Sequence, residues 1–140
     1  MREEKHGFRD QRISERHRLW GTDCPMLDID FLAVEYDHGQ VVALIEYTHE
    51  HGQHLDPQHP STLALVDLAD RANLPFWSVR YADDFAWLEV KPMNLRAQAS
   101  TSNDEPVKLT ERQYVTWMCA LRHRPLPARL RFDGRGRLIL

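Results

Sequence analysis

The stretch from residue 28 to residue 49 (DIDFLAVEYDHGQVVALIEYTH) constrains the fold most, because it is apolar strand sequence interrupted by carboxylates. Its two apolar runs flank a short connection at residues 38–40, which predicts two antiparallel strands joined by a tight turn. Asp28 and Asp30 fall on the first predicted strand and Glu46 falls on the second. A carboxylate on a buried strand is costly unless it is paired, protonated or bound to a cation. A divalent metal ion is therefore one chemical explanation for this placement.

The register between the two strands decides whether Asp30 and Glu46 can share an ion, because side chains alternate between the faces of a strand. A two-residue turn would place Asp30 opposite Tyr47 and leave the two carboxylates on opposite faces. A three-residue connection with Gly39 in or beside a bulge would place Asp30 opposite Thr48, with Glu46 one step along the same face. The metal hypothesis therefore predicts the second register.

Length and composition favour one globular domain. A chain of 140 residues is long enough to bury its own core, and its 28% of charged residues is typical of a globular protein. No apolar run is long enough to span a membrane, and the charged start MREEKHGFRD is unlike a secretory signal. Cys24 and Cys119 lie far apart without a CxxC pattern, which favours a reducing compartment over a disulfide framework. We therefore expect a single cytoplasmic domain over residues 1–140, with no membrane partner.

Charge is distributed unevenly along the chain. No lysine or arginine occurs between Leu19 and Asp70, whereas acidic residues are frequent there. The basic residues concentrate at the two ends, as Arg2, Lys5, Arg9, Arg12, Arg16, Arg18, Arg122, Arg124, Arg129, Arg131, Arg135 and Arg137. An acidic centre with basic flanks is typical of a metal-dependent enzyme that acts on a polyanion. The alternative is that these arginines only decorate exposed helix faces and a tail, and the sequence leaves both interpretations open.

The order of the remaining patterns predicts a mixed sheet. Helices are expected at 10–20, 61–72 and 109–122, with N-caps at Asp10, Ser61 and Thr110, and further strands at 75–81 and 85–90. A crossover helix between strands usually gives a parallel pair. We therefore expect an α/β (α+β) fold with a mixed central sheet of about four strands flanked by helices. A flexible loop is predicted at about 97–107, within a C-terminal part that ends in a helix and an arginine-rich tail over 109–140.

The loop after the second predicted strand is rich in histidine, with His49, His51, His54 and His59 close together in the sequence. Such a cluster could bind zinc, but its spacing matches no ordinary structural zinc pattern. A solvated polar loop is therefore the preferred interpretation.

The residues in this order resemble the PD-(D/E)XK nuclease-like superfamily. The features that carry the resemblance are a helix with Glu15, a strand entered at Asp30, and ALIEYT at residues 43–48 on the next strand. The resemblance covers roughly residues 9–91 and implies a restriction-endonuclease-like core of a helix, three or four strands and a crossover helix. It also implies that Asp30 and Glu46 hold Mg²⁺ or Mn²⁺, with Glu15 as an auxiliary, in hydrolysis of the phosphodiester bonds of DNA rather than RNA.

The sequence departs from the superfamily at one position, because the lysine expected two residues after Glu46 is Thr48. A threonine hydroxyl supplies no positive charge and is too weak an acid to act as a base. Arg80 is the cation that neighbouring strand sequence could offer instead, and His49 or His51 could act as a base near the metal. Without such a rescue, the chain would be a catalytically degenerate nuclease-fold protein that binds nucleic acid or a protein partner.

The sequence thus gives a candidate catalytic set of Glu15, Asp30, Glu46, Thr48 and Arg80, in which Asp30 and Glu46 are the metal ligands. The structural alternative is that these two carboxylates pair with arginines of the first helix. A homodimer, and an interaction domain with no role in nucleic-acid chemistry, are options that the sequence leaves open.

Overall fold

A mixed five-stranded sheet with four helices around it makes up the part of the chain that the computed structural model describes, residues 11–23, 25–101 and 105–140. The strands are β1 (Phe31–Glu35), β2 (Gln40–His49), β3 (Phe76–Tyr81), β4 (Leu88–Pro92) and β5 (Val107–Leu109). The helices are α1 (Gln11–Trp20), α2 (Pro60–Arg71), α3 (Leu95–Thr101) and α4 (Glu111–Ala120). The predicted α+β class is confirmed, with one strand more than expected. None of the described helices has the length and apolar character needed to cross a bilayer.

The strands follow one another across the sheet in the order β1-β2-β3-β4-β5. Only β2 and β3 are parallel, and the other neighbouring pairs are antiparallel. The connection between the parallel strands contains α2, as expected of a crossover helix. Because β2 and β3 run in the same direction, their carboxyl ends meet at one edge of the sheet.

Helices cover both faces of the sheet. On the first face, here the α4 face, buried strand residues pack against Tyr114 of α4; they are Ala33, Ala43, Ile45, Trp77, Val79, Leu88 and Val90. On the second, the α2 face, Leu44 and Phe76 pack against Leu65 and Ala69 of α2. The two apolar clusters follow from the alternation of side chains along β2 and β3.

Two helix ends illustrate how local signals act. The predicted N-cap of α4 at Thr110 is confirmed, and it forms a capping box, because the Thr110 side chain accepts the Gln113 N–H and the Gln113 side chain accepts the Thr110 N–H. The predicted cap of α2 at Ser61 is wrong. His59 Nδ1 accepts the Ser61 N–H at 3.1 Å, so the helix begins at Pro60, a residue well suited to the first turn. Asp10, the predicted cap of α1, lies outside the described residues.

Two other predicted boundaries are corrected by the structure. Residues 98–101, expected in a flexible loop, belong to α3, whose start is fixed by Asn94 Oδ1 accepting the Ala97 N–H at 3.0 Å. Phe85 has a positive φ of 57°, which places it in the turn before β4 rather than in a strand. Within the C-terminal tail, Phe132 and Leu138 form an isolated antiparallel bridge.

Candidate functional site

The register of β1 and β2 brings Asp30 and Glu46 onto the same face of the sheet, although neither predicted register is present. Glu35 pairs with Gln40, but a bulge between Ala33 and Val34 shifts the pairing, so that Phe31 pairs with Ile45. The next step along the strand sets Asp30 opposite Glu46. The predicted placement opposite Thr48 is therefore wrong.

The bulge decides the outcome, because one extra residue reverses the face of every side chain beyond it. Ala33 pairs with Ala43 and Val34 pairs with Val41, so the extra residue is Val42 on β2. If the pairing near the turn continued unchanged, Asp30 would lie opposite Ile45 and point to the other face from Glu46. Instead both carboxylates lie on the α2 face.

Hydrogen bonds hold the two acidic residues side by side at the end of the ladder. The Asp30 N–H donates to Glu46 Oε2 at 2.7 Å, and the Tyr47 N–H donates to Asp30 Oδ2 at 3.3 Å. Each carboxylate thus uses one oxygen to replace a missing backbone acceptor. Within the described residues, the second oxygen of each makes no hydrogen bond with protein, so it can bind a ligand.

The electrostatic environment of this pair is negative. Burial raises the pKa of Glu46 above its ordinary value, and the nearby charges of Asp30 and Asp28 raise it further, although the hydrogen bond from Asp30 opposes this. In the described part of the chain, no lysine or arginine forms an ion pair with Asp30 or Glu46. The arginine-paired alternative is therefore not what the structure contains. A carboxylate pair without a cation is suited to binding one.

In the part of the chain that the structure describes, Glu15 is not one of the residues found to interact with Asp30 or Glu46. It is an exposed residue of α1, and the carboxylates that act on Glu46 are Asp30 and Asp28. The helix itself makes its contacts mainly with the 3-10 turn Gly21–Asp23 that follows it. Among the described residues, no hydrogen bond or ion pair joins Glu15 to Asp30 or Glu46.

Thr48, at the position of the expected lysine, packs against the turn that follows β2. The Gly52 N–H donates to the His49 carbonyl at 2.8 Å, which closes this turn. A Cβ atom at Gly52 would lie 2.5 Å from Thr48 Cγ2, so the Thr48 methyl fills the space that only a glycine leaves open. The observed contact gives Thr48 a packing role.

Arg80, the predicted replacement cation, pairs with Thr48 across the parallel strands but is engaged elsewhere. Its guanidinium donates to the Gly52 carbonyl at 3.0 Å, the Glu50 carbonyl at 2.7 Å and Glu89 Oε1 at 2.9 Å. It therefore clamps the turn after β2 onto the sheet. The Asp30–Glu46 pair receives no charge contact from it.

The buried Ser78 and the partly buried His54 and Glu89 form a hydrogen-bonded chain beside Arg80. His54 Nδ1 lies 3.0 Å from Ser78 Oγ, and His54 Nε2 lies 2.9 Å from Glu89 Oε1. Burial would raise the pKa of Glu89, but the hydrogen bonds from His54 and Arg80 outweigh it and lower that pKa. Ser78 is fully buried and also accepts the Leu55 N–H at 3.2 Å. No substrate can reach its hydroxyl, so the trio anchors the crossover loop and is not a nucleophile with its base.

Lys91, a residue outside the predicted catalytic set, lies on the α2 face. β4 extends to Pro92, and the pairings of Glu46 with Ser78 and of Ser78 with Lys91 put these three residues in one row. Two strand spacings separate the Cα atoms of Glu46 and Lys91 by about 10 Å, and His54 covers the strand between them. The alternation in Leu88–Pro92 was the signal that could have revealed this lysine.

The arginine-rich tail is partly committed to internal contacts. Arg122 donates to the Val34 carbonyl at 2.8 Å, and Arg124 pairs with Glu35 and Asp37. The hydrogen bond from Arg124 is the largest reason that the pKa of Glu35 falls to about 2. Other tail arginines are exposed, namely Arg129, Arg131 and Arg135. The tail therefore combines a structural role with free positive charge.

The histidine-rich loop is divided by the fold. His54 and His59 hydrogen-bond to Ser78 and to the start of α2, whereas His49 and His51 come together with Glu50 at the carboxyl end of β2. The preferred interpretation of this segment as a solvated polar loop therefore describes only part of it, because His54 and His59 are anchored by hydrogen bonds.

No protein-family model, no curated protein and no solved structure matches this chain. The nuclease resemblance accordingly stays a prediction that depends on the residues and geometry described above.

Proposed function

We propose that this protein is a divalent-cation-dependent phosphodiester hydrolase acting on DNA, with Asp30 and Glu46 as ligands of Mg²⁺ or Mn²⁺. The observation that carries the proposal is the side-by-side placement of these two carboxylates on one face of the sheet, beyond a bulge that turns them to the same side. A divalent ion there would polarise a phosphodiester oxygen and lower the pKa of a bound water. In this assignment, the chain's own contribution is to hold the two ligands and to leave one oxygen of each available.

The raised pKa of Glu46 supports the cation assignment. A half-buried carboxyl with two acidic neighbours is electrostatically unfavourable, and a divalent cation relieves that cost directly. The exposed arginines Arg129, Arg131 and Arg135 provide positive charge for a polyanionic substrate. Hard oxygen ligands without histidine or cysteine favour Mg²⁺ or Mn²⁺ over zinc at this pair.

A second candidate, a nuclease-fold protein that binds nucleic acid without cutting it, is favoured by the environment of residue 48. Thr48 packs on Gly52, and Arg80 is bound to two turn carbonyls and Glu89. Neither supplies the positive charge that the resemblance implies beside the metal. Such a protein would retain binding of metal and DNA while lacking activity.

The test compares the native chain with Asp30→Asn and Glu46→Gln in DNA cleavage and in Mn²⁺ titration calorimetry. Both amides retain an oxygen that can accept the observed backbone hydrogen bonds, so the fold is preserved while the charge is lost. We expect cleavage that requires Mg²⁺ or Mn²⁺ and falls about 100-fold or more in each variant, since metal stabilisation is worth several kcal/mol.

Asp56→Asn is the matched control, because Asp56 is an exposed carboxylate whose oxygen accepts the Gln58 N–H at 2.9 Å, as an amide oxygen also can. It should leave cleavage and metal binding unchanged. Binding of Mn²⁺ and DNA without cleavage would select the second candidate. Absence of saturable metal binding by the native chain would reject the metal-dependent mechanism.

A further inference from the structure

We infer that the turn after β2 carries a second metal site, for a divalent transition metal such as Zn²⁺, formed by His49, Glu50 and His51 and oriented by Asp83. One ligand atom from each of the first three residues lies within 4.8 Å of the others. Two imidazoles and one carboxylate are a ligand set that proteins use for zinc and for other first-row metals. This site goes beyond the proposed nuclease function and uses different residues.

The site lies at the edge where the parallel strands end. His49 is the last residue of β2 and pairs with Tyr81, the last residue of β3, and Asp83 follows two residues later. Ligands bind preferentially outside the carboxyl ends of parallel strands, where several loops converge. The His49 ring packs on Tyr81 of the α4 face, whereas Asp30 and Glu46 lie on the α2 face.

Asp83 orients the first ligand. His49 Nε2 lies 3.0 Å from Asp83 Oδ1, and His49 Nδ1 accepts the His51 N–H at 3.3 Å. Nε2 therefore carries the proton that Asp83 accepts, and the one available ring lone pair is on Nδ1. A metal ion that binds Nδ1 replaces the hydrogen bond from the His51 N–H. A histidine that binds a metal through one nitrogen and gives its other N–H to a carboxylate is the usual arrangement in metalloproteins.

The backbone of the turn is held in place before any metal binds. The Gly52 N–H closes the turn on the His49 carbonyl, and Arg80 binds the Glu50 and Gly52 carbonyls. Glu50 Oε1 accepts the Asp83 N–H at 3.1 Å, which leaves Oε2 to bind a metal. The rings of His49 and His51 have centroids 4.7 Å apart, so both can contribute to one ion. A preorganised turn lowers the ordering cost that an exposed loop would otherwise incur.

The experiment is Zn²⁺ titration calorimetry of the full chain carrying Asp30→Asn and Glu46→Gln, which removes the first carboxylate pair as a competing site. We expect saturable binding of one Zn²⁺ per chain. His51→Ala and Glu50→Gln should each weaken it at least about tenfold, and Asp83→Asn should weaken it about 10- to 100-fold, the usual effect of a carboxylate that orients a metal ligand.

His59→Asn is the matched control, because it alters a histidine in the same loop while an asparagine can still cap α2. It should leave the Zn²⁺ affinity unchanged. The thermal midpoint of each variant in chelator should equal that of the parent, which separates loss of ligation from loss of structure. Zn²⁺ affinity that is the same in His51→Ala and Glu50→Gln as in the parent overturns the site, as does the absence of saturable binding. Because both carboxylates of the first pair are absent, this result is independent of the nuclease test.

Discussion

Asp30 and Glu46 are held side by side at the end of the β1–β2 ladder by two hydrogen bonds. The Asp30 N–H donates to the Glu46 carboxylate, and the Asp30 carboxylate accepts the Tyr47 N–H. Side-chain oxygens thus replace the main-chain carbonyls that would continue the ladder. The arrangement ends the sheet and, in the same contacts, fixes two acidic groups next to each other. It accounts for how a pair of like charges can be held at one place, although no lysine or arginine of the described residues forms an ion pair with either carboxylate.

Glu46→Gln should stabilise the protein in the absence of metal. The raised pKa of Glu46 means that the folded chain binds the proton of this carboxyl more tightly than the unfolded chain does. Ionisation therefore costs stability as the pH rises above the ordinary value of 4.5, and the cost disappears below it. At pH 7 in chelator, we expect the variant to be more stable by up to about 1 kcal/mol in denaturant titration.

Saturating Mn²⁺ should reverse this order, because only the native carboxylate gains from binding the ion. A native chain that is more stable than Glu46→Gln at pH 7 in chelator would contradict the prediction. It would show that the hydrogen bond to the Asp30 N–H outweighs the electrostatic cost of the charge.

Thr48→Lys should increase DNA cleavage if the missing cation limits the reaction. Thr48 lies two residues after Glu46, with Glu46 on the same face of β2, so a lysine there would project toward the metal side of the sheet. Thr48→Gln is the matched control, because it has similar reach without charge. We expect a gain of about tenfold or more in Mn²⁺-dependent cleavage for lysine alone. Equal rates in both variants would show that charge at this position is not limiting.

The fold class was predictable because the signals for it are local. The apolar alternation of β2 and β3, the crossover through α2 and the Thr110–Gln113 capping box each act over a few residues. α3 was missed although its start carries a local signal, because Asn94 is an N-cap residue whose Oδ1 accepts the Ala97 N–H three positions later. The other hydrogen bonds of the buried Asn94, with Phe76, Leu74 and Asp70, depend on the assembled fold.

The candidate pair Asp30–Glu46 could be named from the sequence, but its geometry could not be derived. The face on which Asp30 lies depends on the extra residue Val42, and a bulge is selected by the packing of the whole strand pair rather than by a turn motif. Arg80 was misjudged for the same reason. Its partners at Glu50, Gly52 and Glu89 come from a loop and a strand whose positions the sequence does not specify.

Gly52→Ala should destabilise the fold by about 1–3 kcal/mol, the usual cost of overpacking. The new Cβ would meet Thr48 Cγ2 at 2.5 Å, and the branched threonine has little rotamer freedom to move away. Thr48→Ser removes that methyl group, so the double variant should recover most of the loss in urea titration. A double variant as unstable as Gly52→Ala alone would place the strain in the turn backbone instead.

His54 should make stability depend on pH below its ordinary pKa of 6.5. Burial lowers the pKa of His54 below its ordinary 6.5, and the hydrogen bond with Glu89 and its charge offset this only in part. The unfolded chain therefore binds protons more strongly in this range, so stability is complete above pH 6.5 and declines as the pH falls through it. His54→Asn can keep a hydrogen bond to Ser78 and loses the titrating ring. At pH 8 we expect the free energy of unfolding of the variant to be lower by about 1 kcal/mol, because the variant lacks the hydrogen bond that His54 makes with Glu89. Its thermal midpoint should also change less between pH 8 and pH 5 than that of the native chain.

The same pH scan of His59→Asn separates His54 from the other histidines. His59 caps α2 from an exposed position, so replacing it should leave the native profile intact. A profile that flattens in His59→Asn and not in His54→Asn would assign the pH dependence to the surface of the loop. The hydrogen-bonded chain of Ser78, His54 and Glu89 would then make no contribution to it, and the anchoring role of His54 would have to act through packing alone.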